Sequence, residues 1–307
     1  IIASLLAAVE ASPDDAVLRL HLARILLAAG RANEAVAQAA QVLGADPGNA
    51  AAQAVMAEAL GAGPVAPRPD PVAADGSGPT LEAMTDKAVA WIKYQKALTP
   101  QRPSFIYFAP GATHAPHHVP QEWIARWKGK FDQGWDKMRE ETLARQIKMG
   151  VVPPGTRLAP KPEAIRDWNT LSADEKKLFT RQAEVFAAFA EYTDHEIGRM
   201  LKAFDAVGQA DNTMVVYIAG DNGTSGEGGA NGMFNEYTYF NGVQETVAQM
   251  LPKIEQWGGP ETYPHMASGW AVGFDSPFGW MKQVPSDFGG TRNGMAVSYT
   301  HLTLPTT

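Results

Sequence analysis

The sequence contains no cysteine in its 307 residues. That absence excludes disulfide bonds, thiolate zinc sites, iron–sulfur clusters and a cysteine nucleophile. Long hydrophobic runs are missing as well, because no apolar stretch reaches the roughly 18 residues that a transmembrane helix needs. The first residues lack a methionine and a basic region, so we expect no signal peptide at this start. A membrane protein and a disulfide-stabilised scaffold are therefore not expected.

Basic residues are also fewer than acidic residues. The chain has 26 basic and 33 acidic residues, which gives a net charge of −7. A broad nucleic-acid-binding surface needs an excess of basic residues, so a nucleic-acid partner is not expected. The composition is 45% hydrophobic, and at this length it can bury the core of one large domain or two smaller ones.

Residues 1–62 are rich in alanine and leucine and carry a short repeat. Pro13-Asp-Asp-Ala recurs as Pro47-Gly-Asn-Ala, 34 residues later, which is the period of tetratricopeptide repeats. Gly30 is placed to turn the chain between two helices, and Pro47 cannot continue the second one. The segment resembles one complete tetratricopeptide unit flanked by partial ones, although a generic alanine-rich helical hairpin fits the same pattern. A protein partner bound through this segment is one interpretation.

The next two segments differ in composition and in hydrophobic pattern. Residues 63–80 are dense in proline and glycine with no apolar period, which predicts a linker and a domain boundary. Residues 81–296 alternate between helical spacing and short apolar runs of strand-forming residues. We predict helices over residues 81–98 and 122–149.

A strand–helix–strand arrangement is predicted next. The runs at residues 104–109 and 213–219 predict buried strands. Between them, Ser172 and Glu175 form the capping-box pattern that opens a long helix, which Gly208 ends. A crossover helix between two strands is typical of a parallel sheet covered by helices, so the predicted fold class is α/β.

Polar residues follow both predicted strands. In an open parallel sheet, sites lie beyond the carboxyl ends of the strands, which groups His114, His117, Asp221 and Asn222. Adjacent oxygens at Asp221 and Asn222 suit a hard cation such as Ca²⁺ or Mg²⁺, whereas an ordinary turn is the alternative. For His117 we expect a cationic imidazole that holds an anionic substrate, with a hydrogen-bonded loop histidine as the alternative.

A third cluster lies further along the chain. Lys282 and Arg292 flank a turn at Gly289 and Gly290. A lysine and an arginine beside such a turn can bind an oxyanion, although most lysines and arginines are solvated surface residues. The glycine-rich segment 226–232 lacks the spacing of a phosphate-binding loop.

These motifs together carry a resemblance. Residues 103–118 (PSFIYFAPGATHAPHH), residues 220–223 (GDNG) and Lys282 with residues 289–292 (GGTR) resemble bacterial arylsulfatases of the alkaline-phosphatase superfamily. The resemblance covers residues 81–296. It implies a partial sulfatase-type sheet flanked by helices, hydrolysis of a small-molecule sulfate monoester, and one divalent cation, most often Ca²⁺.

The resemblance also implies roles for individual residues. Asp221 and Asn222 would be metal ligands. His117 and Lys282 would be catalytic residues that contact the substrate, His117 at the sulfate or the leaving oxygen and Lys282 at a sulfate oxygen. Arg292 would bind substrate as well.

One departure from the family pattern affects activity. Sulfatases of this type attack with a formylglycine made from the first residue of a Cys/Ser-x-Pro-x-Arg motif. Residues 98–102 (LTPQR) keep the second half of that motif but begin with leucine. We therefore expect a sulfatase fragment that is catalytically incomplete. The alternatives are a related metal-dependent phosphodiesterase or phosphonate hydrolase, and a non-catalytic binding protein tethered by its repeats.

The last residues have a different character. Residues 297–307 resemble a sequencing-library adapter translated in one frame, so we interpret them as a non-native tail. No function is assigned to them.

Overall fold

A computed structural model of the chain describes residues 2–59, 80–220 and 222–298. The chain forms two compact units, Ile1–Gly78 and Pro79–Thr307. Within the described ranges, none of the helices combines the length and the apolar character that crossing a membrane requires.

The first unit is a set of helices. They are α1 (Ile2–Ala11), α2 (Ala16–Ala28), α3 (Ala32–Ala45) and α4 (Ala50–Ala59). Asp15 caps α2, where its carboxylate accepts a hydrogen bond from the Leu18 amide at 2.9 Å. Leu22 and Leu26 of α2 pack against the small residues Ala35 and Ala39 of α3, and all four are fully buried. The predicted helical hairpin is thereby confirmed, since small residues let the two helices approach closely.

The second unit combines helices with a small sheet. Its helices are α5 (Leu81–Leu98), α6 (Gln121–Trp127), α7 (Gly134–Met149), α8 (Ala173–Ala206), α9 (Glu236–Phe240), α10 (Val247–Met250) and α11 (Ser268–Phe274). Short 3-10 helices cover Trp168–Thr170, Ala210–Asn212, Leu251–Gln256 and Phe288–Gly290. The strands are β1 (Val215–Ala219) and β2 (Gly294–Ser298).

Helix α8 begins where the capping box predicts. The Ser172 hydroxyl accepts from the Glu175 amide at 3.2 Å, and the Glu175 carboxylate accepts from the Ser172 amide at 2.8 Å. Leu178, Phe179 and Val185 on this helix are fully buried in the main core of the unit. The helix supports that core because its apolar side repeats at helical spacing.

The helix predicted over residues 122–149 is interrupted. The structure has two helices, α6 and α7, and Gly134 opens the second with a positive φ of 76°. A Cβ atom at Gly134 would lie 2.2 Å from the Trp168 ring, so only glycine fits at this break. The sequence shows one run of charged helical residues, whereas the packing of Trp168 requires a turn within it.

The strand prediction for residues 104–109 is wrong. This segment belongs to neither strand of the described sheet, and Phe105 and Tyr107 are 86% and 83% exposed. Ile106 and Phe108 alternate with them and pack on the cluster that contains Ile92 and Met200. The segment therefore buries one side on helices α5 and α8 and leaves the other side open.

The strand predicted over residues 213–219 is confirmed as β1, but its environment differs from the prediction. β1 pairs with β2 in the antiparallel sense, with Val215 opposite Ser298 and Ala219 opposite Gly294. Ile218 is exposed, so the strand is not buried on both faces. Among the described strands the predicted parallel pairing is wrong, because an apolar run does not encode which partner it meets. The α/β class holds, with helices beside a small sheet.

The segment interpreted as a non-native tail is described only at its start. Residues 297–298 form the end of β2 and pair with β1. Residues 299–307 lie outside the described part of the chain, as do residues 60–79, which include most of the predicted linker.

Candidate functional site

An open cavity of about 2070 Å³ in the second unit brings the predicted motifs together. His114, Asn222, Lys282 and Arg292 all line it. Asp221 lies outside the described residues, and His117 is not among the lining residues. Three loops that are far apart in sequence thus face one space.

The turn that carries Asn222 is locked against the third motif. Gly223 has φ +80°, and a Cβ atom there would lie 2.0 Å from the carbonyl oxygen of Gly289. The Gly223 amide donates to Oδ1 of Asn293 at 3.2 Å. The Lys282 amide donates to the carbonyl of Thr224 at 3.1 Å. Because the two segments touch through their backbones, the position of Asn222 is tied to that of Lys282.

Asp275 holds the same turn from the other side. Its carboxylate accepts from the Thr224 hydroxyl at 2.7 Å and from the Thr224 amide at 3.1 Å. Burial raises the pKa of Asp275 to about 6, although the hydrogen bonds from Thr224 act in the opposite direction. Asp275 could not be predicted from the sequence, because a single aspartate after a short helix matches no motif.

Lys282 lines the cavity as one member of an ion pair. Its Nζ lies 3.1 Å from Oε2 of Glu227, which also accepts from the Ser225 hydroxyl at 2.9 Å. Burial alone would raise the pKa of Glu227, but the hydrogen bonds from Ser225 and Lys282 outweigh it and hold the pKa below its usual range. Glu227 was missed, since it lies in a glycine-rich segment that matched no binding motif.

His117 lies in an environment unlike the one predicted. Its side chain is 2% exposed and packs against the rings of Phe186 and His265, with centroids 5.2 and 5.7 Å away. Burial, together with the nearby His265, His114 and His118, lowers the pKa of His117 to about 3. The imidazole is therefore neutral near pH 7, and the expected cationic form is wrong. Its Nδ1 has no hydrogen-bond partner among the described residues.

His265 is a second buried histidine in this region, and no sequence motif marks it. It is fully buried, and its Nε2 lies 3.3 Å from Oε1 of Glu236. Burial lowers the pKa of His265, although the carboxylates of Glu236 and Glu227 act to raise it. The His265 backbone pairs with that of Met233, and the His265 ring contacts the His117 ring.

Arg292 lies at the edge of the cavity over two aromatic rings. Its guanidinium carbon is 5.6 Å from the Phe278 centroid and 5.5 Å from the Phe288 centroid. The side chain is exposed and lines the cavity with Lys282. Two cationic side chains therefore face the space that Asn222 also lines.

A divalent cation has an incomplete set of ligands here. Among the described residues, no group of three or more histidine, aspartate or glutamate side chains could hold a metal ion. Asn222 lines the cavity, but its predicted co-ligand Asp221 lies outside the described part. The described residues therefore do not form a complete cation shell.

Comparison with known proteins decides the family. The model of the sulfatase family matches residues 57–250, which is more than half of the chain. The chain belongs to the sulfatase family. A tetratricopeptide-repeat model matches residues 2–59, in agreement with the helices of the first unit.

Two curated sulfatases are similar to this chain. An arylsulfatase of Klebsiella aerogenes is 26% identical over 217 residues, which cover 71% of this chain and 44% of that protein. An uncharacterized sulfatase of Schizosaccharomyces pombe is 33% identical over 123 residues, which cover 40% of this chain and 22% of that protein. This chain thus spans less than half the length of each of these two relatives.

Proposed function

We propose that the second unit carries the substrate-binding part of a sulfuric ester hydrolase of the arylsulfatase type. The observation that supports this proposal is the convergence of Asn222, Lys282 and Arg292 on one cavity. The backbone contacts of Gly223 with the Gly289 turn support it further, because they fix the distance between the motifs. The similarity to the Klebsiella arylsulfatase favours a sulfate ester as the ligand.

Each side chain has a proposed task. Lys282 and Arg292 supply positive charge to the sulfate oxygens, Lys282 as a point charge and Arg292 as a planar fork. A sulfate oxygen would compete with Glu227 for the Lys282 ammonium, which lies 3.1 Å from that carboxylate. His117 stays a proposed contact of the leaving oxygen, to which its neutral imidazole could donate a hydrogen bond from an N–H group. Asp221 and Asn222 are the proposed ligands of a Ca²⁺ ion.

We also propose that this chain binds a sulfate ester without hydrolysing it. No cysteine occurs in the sequence, and the Pro-x-Arg segment at residues 98–102 begins with leucine. A formylglycine therefore has no precursor at that segment, and without a nucleophile the cavity can hold the ester but not cleave it.

Lys282 offers a direct test of the site. Binding of 4-nitrophenyl sulfate, inorganic sulfate and bis(4-nitrophenyl) phosphate would be measured by calorimetry on the full chain. Lys282→Met should weaken the binding of the two sulfate ligands by at least about tenfold, the lower end of the effect of one hydrogen bond to a charged group. Lys137 is a matched control, because it forms an ion pair of 3.1 Å with Glu140 on the surface.

The outcomes separate the candidate functions. Equal losses for Lys282→Met and Lys137→Met would contradict the site. Preferred binding of the phosphodiester would favour the related phosphodiesterase. Release of 4-nitrophenol by the unmodified chain would contradict the proposed absence of turnover.

The cation has a test of its own. Asp221→Ala should weaken Ca²⁺ binding by the full chain, measured by calorimetry or by luminescence of Tb³⁺ in its place. An unchanged affinity would remove Asp221 from the proposed ligand set.

The first unit has a separate proposed role. Its tetratricopeptide match and its paired helices favour a module that binds a protein partner. A substitution in its core, such as Leu26→Ala, should leave the affinity of the second unit for sulfate esters unchanged. Loss of that affinity would contradict separate roles.

A further inference from the structure

The glycine-rich segment around Glu227, which lacks the spacing of a phosphate-binding loop, is packed closely on both sides of that residue. A Cβ atom at Gly226 would lie 2.2 Å from Sδ of Met281. A Cβ atom at Gly228 would lie 2.1 Å from the carbonyl oxygen of Met266. Glycine allows both close approaches, so the backbone on each side of Glu227 has little freedom to move.

The carboxylate of Glu227 accepts hydrogen bonds at both of its oxygens. Oε2 accepts from the Lys282 ammonium at 3.1 Å and from the Ser225 hydroxyl at 2.9 Å. Oε1 accepts from Nε2 of Gln283 at 2.6 Å. The side chains of Glu227 and Lys282 are 29% and 13% exposed, so the pair is partly shielded from water. Because both oxygens are engaged, the carboxylate has a defined position from which it holds the ammonium.

The backbone around Lys282 has an unusual conformation. Trp280 has φ 63° and Gln283 has φ 75°, in the left-handed region that residues other than glycine seldom adopt. Such conformations persist where the surrounding structure holds them, and they cluster at functional sites. The hydrogen bond from Gln283 to Glu227 is one contact that holds this turn. Glu227 therefore contacts both the ammonium of Lys282 and the residue that follows it in the chain.

Lys282 keeps donors for a ligand while it contacts Glu227. An ammonium has three N–H donors, and the contact with Glu227 uses one of them. The others are available to the cavity that Lys282 lines. A lysine that is already held in place loses less side-chain entropy when an anion binds, which favours binding. The negative charge of Glu227 acts in the opposite direction, because it repels the anion.

We propose that Glu227 is a positioning residue for Lys282. Its carboxylate holds the ammonium at the cavity wall before an anion binds, at the cost of part of the electrostatic attraction. The glycine-rich segment thereby serves the anion site through Lys282. This inference rests on the proposed function, in which Lys282 contacts a sulfate oxygen.

Two neutral replacements of Glu227 separate position from charge. In Glu227→Gln, the amide oxygen can still accept from Lys282, and the Gln283 amide can turn to accept from the new NH₂ group. Because one negative charge near the anion is removed, this variant should bind inorganic sulfate about 2- to 5-fold more tightly than the unsubstituted chain. Glu227→Ala loses the hydrogen bonds as well, so it should bind about 3- to 10-fold more weakly than Glu227→Gln. Calorimetry on the full chain, with inorganic sulfate and 4-nitrophenyl sulfate, measures these affinities.

A double-mutant cycle shows whether the effect passes through Lys282. In the Lys282→Met background, the difference between Glu227→Gln and Glu227→Ala should vanish, since no ammonium remains to be positioned. A merely structural role of Glu227 would leave that difference in place. Glu140→Ala is the matched control, because Glu140 forms an ion pair of 3.1 Å with Lys137 on the surface. It should leave sulfate binding unchanged.

A second variant tests the same contacts without replacing Glu227. Gln283→Ala removes one hydrogen bond to Glu227 from an exposed position, so the fold should tolerate it. It should weaken sulfate binding when Lys282 is present and have no effect in the Lys282→Met background. Urea unfolding of each variant shows that it is folded, and Gln283→Ala decides the question if Glu227→Ala is not.

The outcomes distinguish this inference from the proposed function. Equal affinities of Glu227→Gln and Glu227→Ala, or a difference that persists in the Lys282→Met background, would overturn the positioning role alone. Weaker binding by Glu227→Gln than by the unsubstituted chain would do the same. Failure of the unsubstituted chain to bind either sulfate ligand would overturn the proposed function and the positioning role with it.

Discussion

Gly223 joins the turn of Asn222 to the glycine pair of the third motif, and its replacement by alanine has a cost that follows from the structure. The residue has φ +80°, a conformation that costs an alanine roughly 1–2 kcal/mol. The new Cβ atom would also lie 2.0 Å from the Gly289 carbonyl oxygen and 3.1 Å from the Cα of Gly290. Such overpacking adds about 1–3 kcal/mol. Gly223→Ala should therefore lower the free energy of unfolding by about 2–5 kcal/mol.

Gly220 provides the matched control for this substitution. It also has φ +80°, but a Cβ atom there would meet Oδ1 of Asn293 at 3.7 Å, an ordinary contact distance. Gly220→Ala should therefore cost only the conformational part, about 1–2 kcal/mol. The difference between the two variants isolates the clash with the Gly289 carbonyl.

Urea unfolding followed by tryptophan fluorescence measures this difference. All eight tryptophans lie between Trp91 and Trp280, so the signal reports the second unit. Equal losses of stability in Gly220→Ala and Gly223→Ala would refute the close packing of the two motifs. Gly223→Ala should also weaken sulfate binding more than Gly220→Ala does, because the contact fixes Asn222 relative to Lys282.

Three further substitutions test other parts of the structure. Asp275→Asn should abolish a pH effect on stability. The folded pKa of about 6 lies above the usual 3.8 of an aspartate, so the native state binds more protons than the unfolded state between these pH values. Rising pH should therefore remove about 3 kcal/mol of stability from the unsubstituted protein but not from the variant. Urea titrations from pH 4 to 7 measure it, and a pH-independent difference between the two proteins would contradict the assignment. Gln182→Leu should lower the free energy of unfolding by about 2–5 kcal/mol in the same fluorescence assay, because the Ala267 amide and the Asn231 carbonyl lose their buried partner. A loss below about 1 kcal/mol would argue against both hydrogen bonds. Leu26→Ala should lower the stability of the first unit by about 2–5 kcal/mol in a circular dichroism melt, because Leu26 is fully buried. Leu26→Met is the control and should cost less than about 1.5 kcal/mol. Equal effects of the two substitutions would show that Leu26 is not tightly packed.

Several elements were predictable because their signals are local. The capping box at Ser172 and the apolar side of α8 are both written within the helix itself. Gly30 and the small residues of α3 likewise predicted the hairpin of the first unit. The convergence of the motifs was expected from an assumed parallel sheet. They do line one cavity, but the described strands are antiparallel.

The parts that were missed depend on distant partners. Asp275, Glu227 and His265 belong to no motif. Each gains its place in the site from a residue far away in sequence that folding brings near, which is Thr224, Lys282 and Glu236 respectively. The charge state of His117 was also wrong, because the sequence shows a polar loop whereas folding buries that ring beside Phe186 and lowers its pKa.

The sequence by itself determined helices α5 and α8, the helical hairpin of the first unit and the motifs that resemble those of sulfatases, since each depends on neighbours a few positions apart. Tertiary structure decided which strand pairs with β1, which histidine faces the cavity, and which carboxylate pairs with Lys282. The physical reason is that burial and hydrogen bonding are properties of the assembled surroundings. A side chain such as His117 acquires its pKa only when those surroundings exclude water from it.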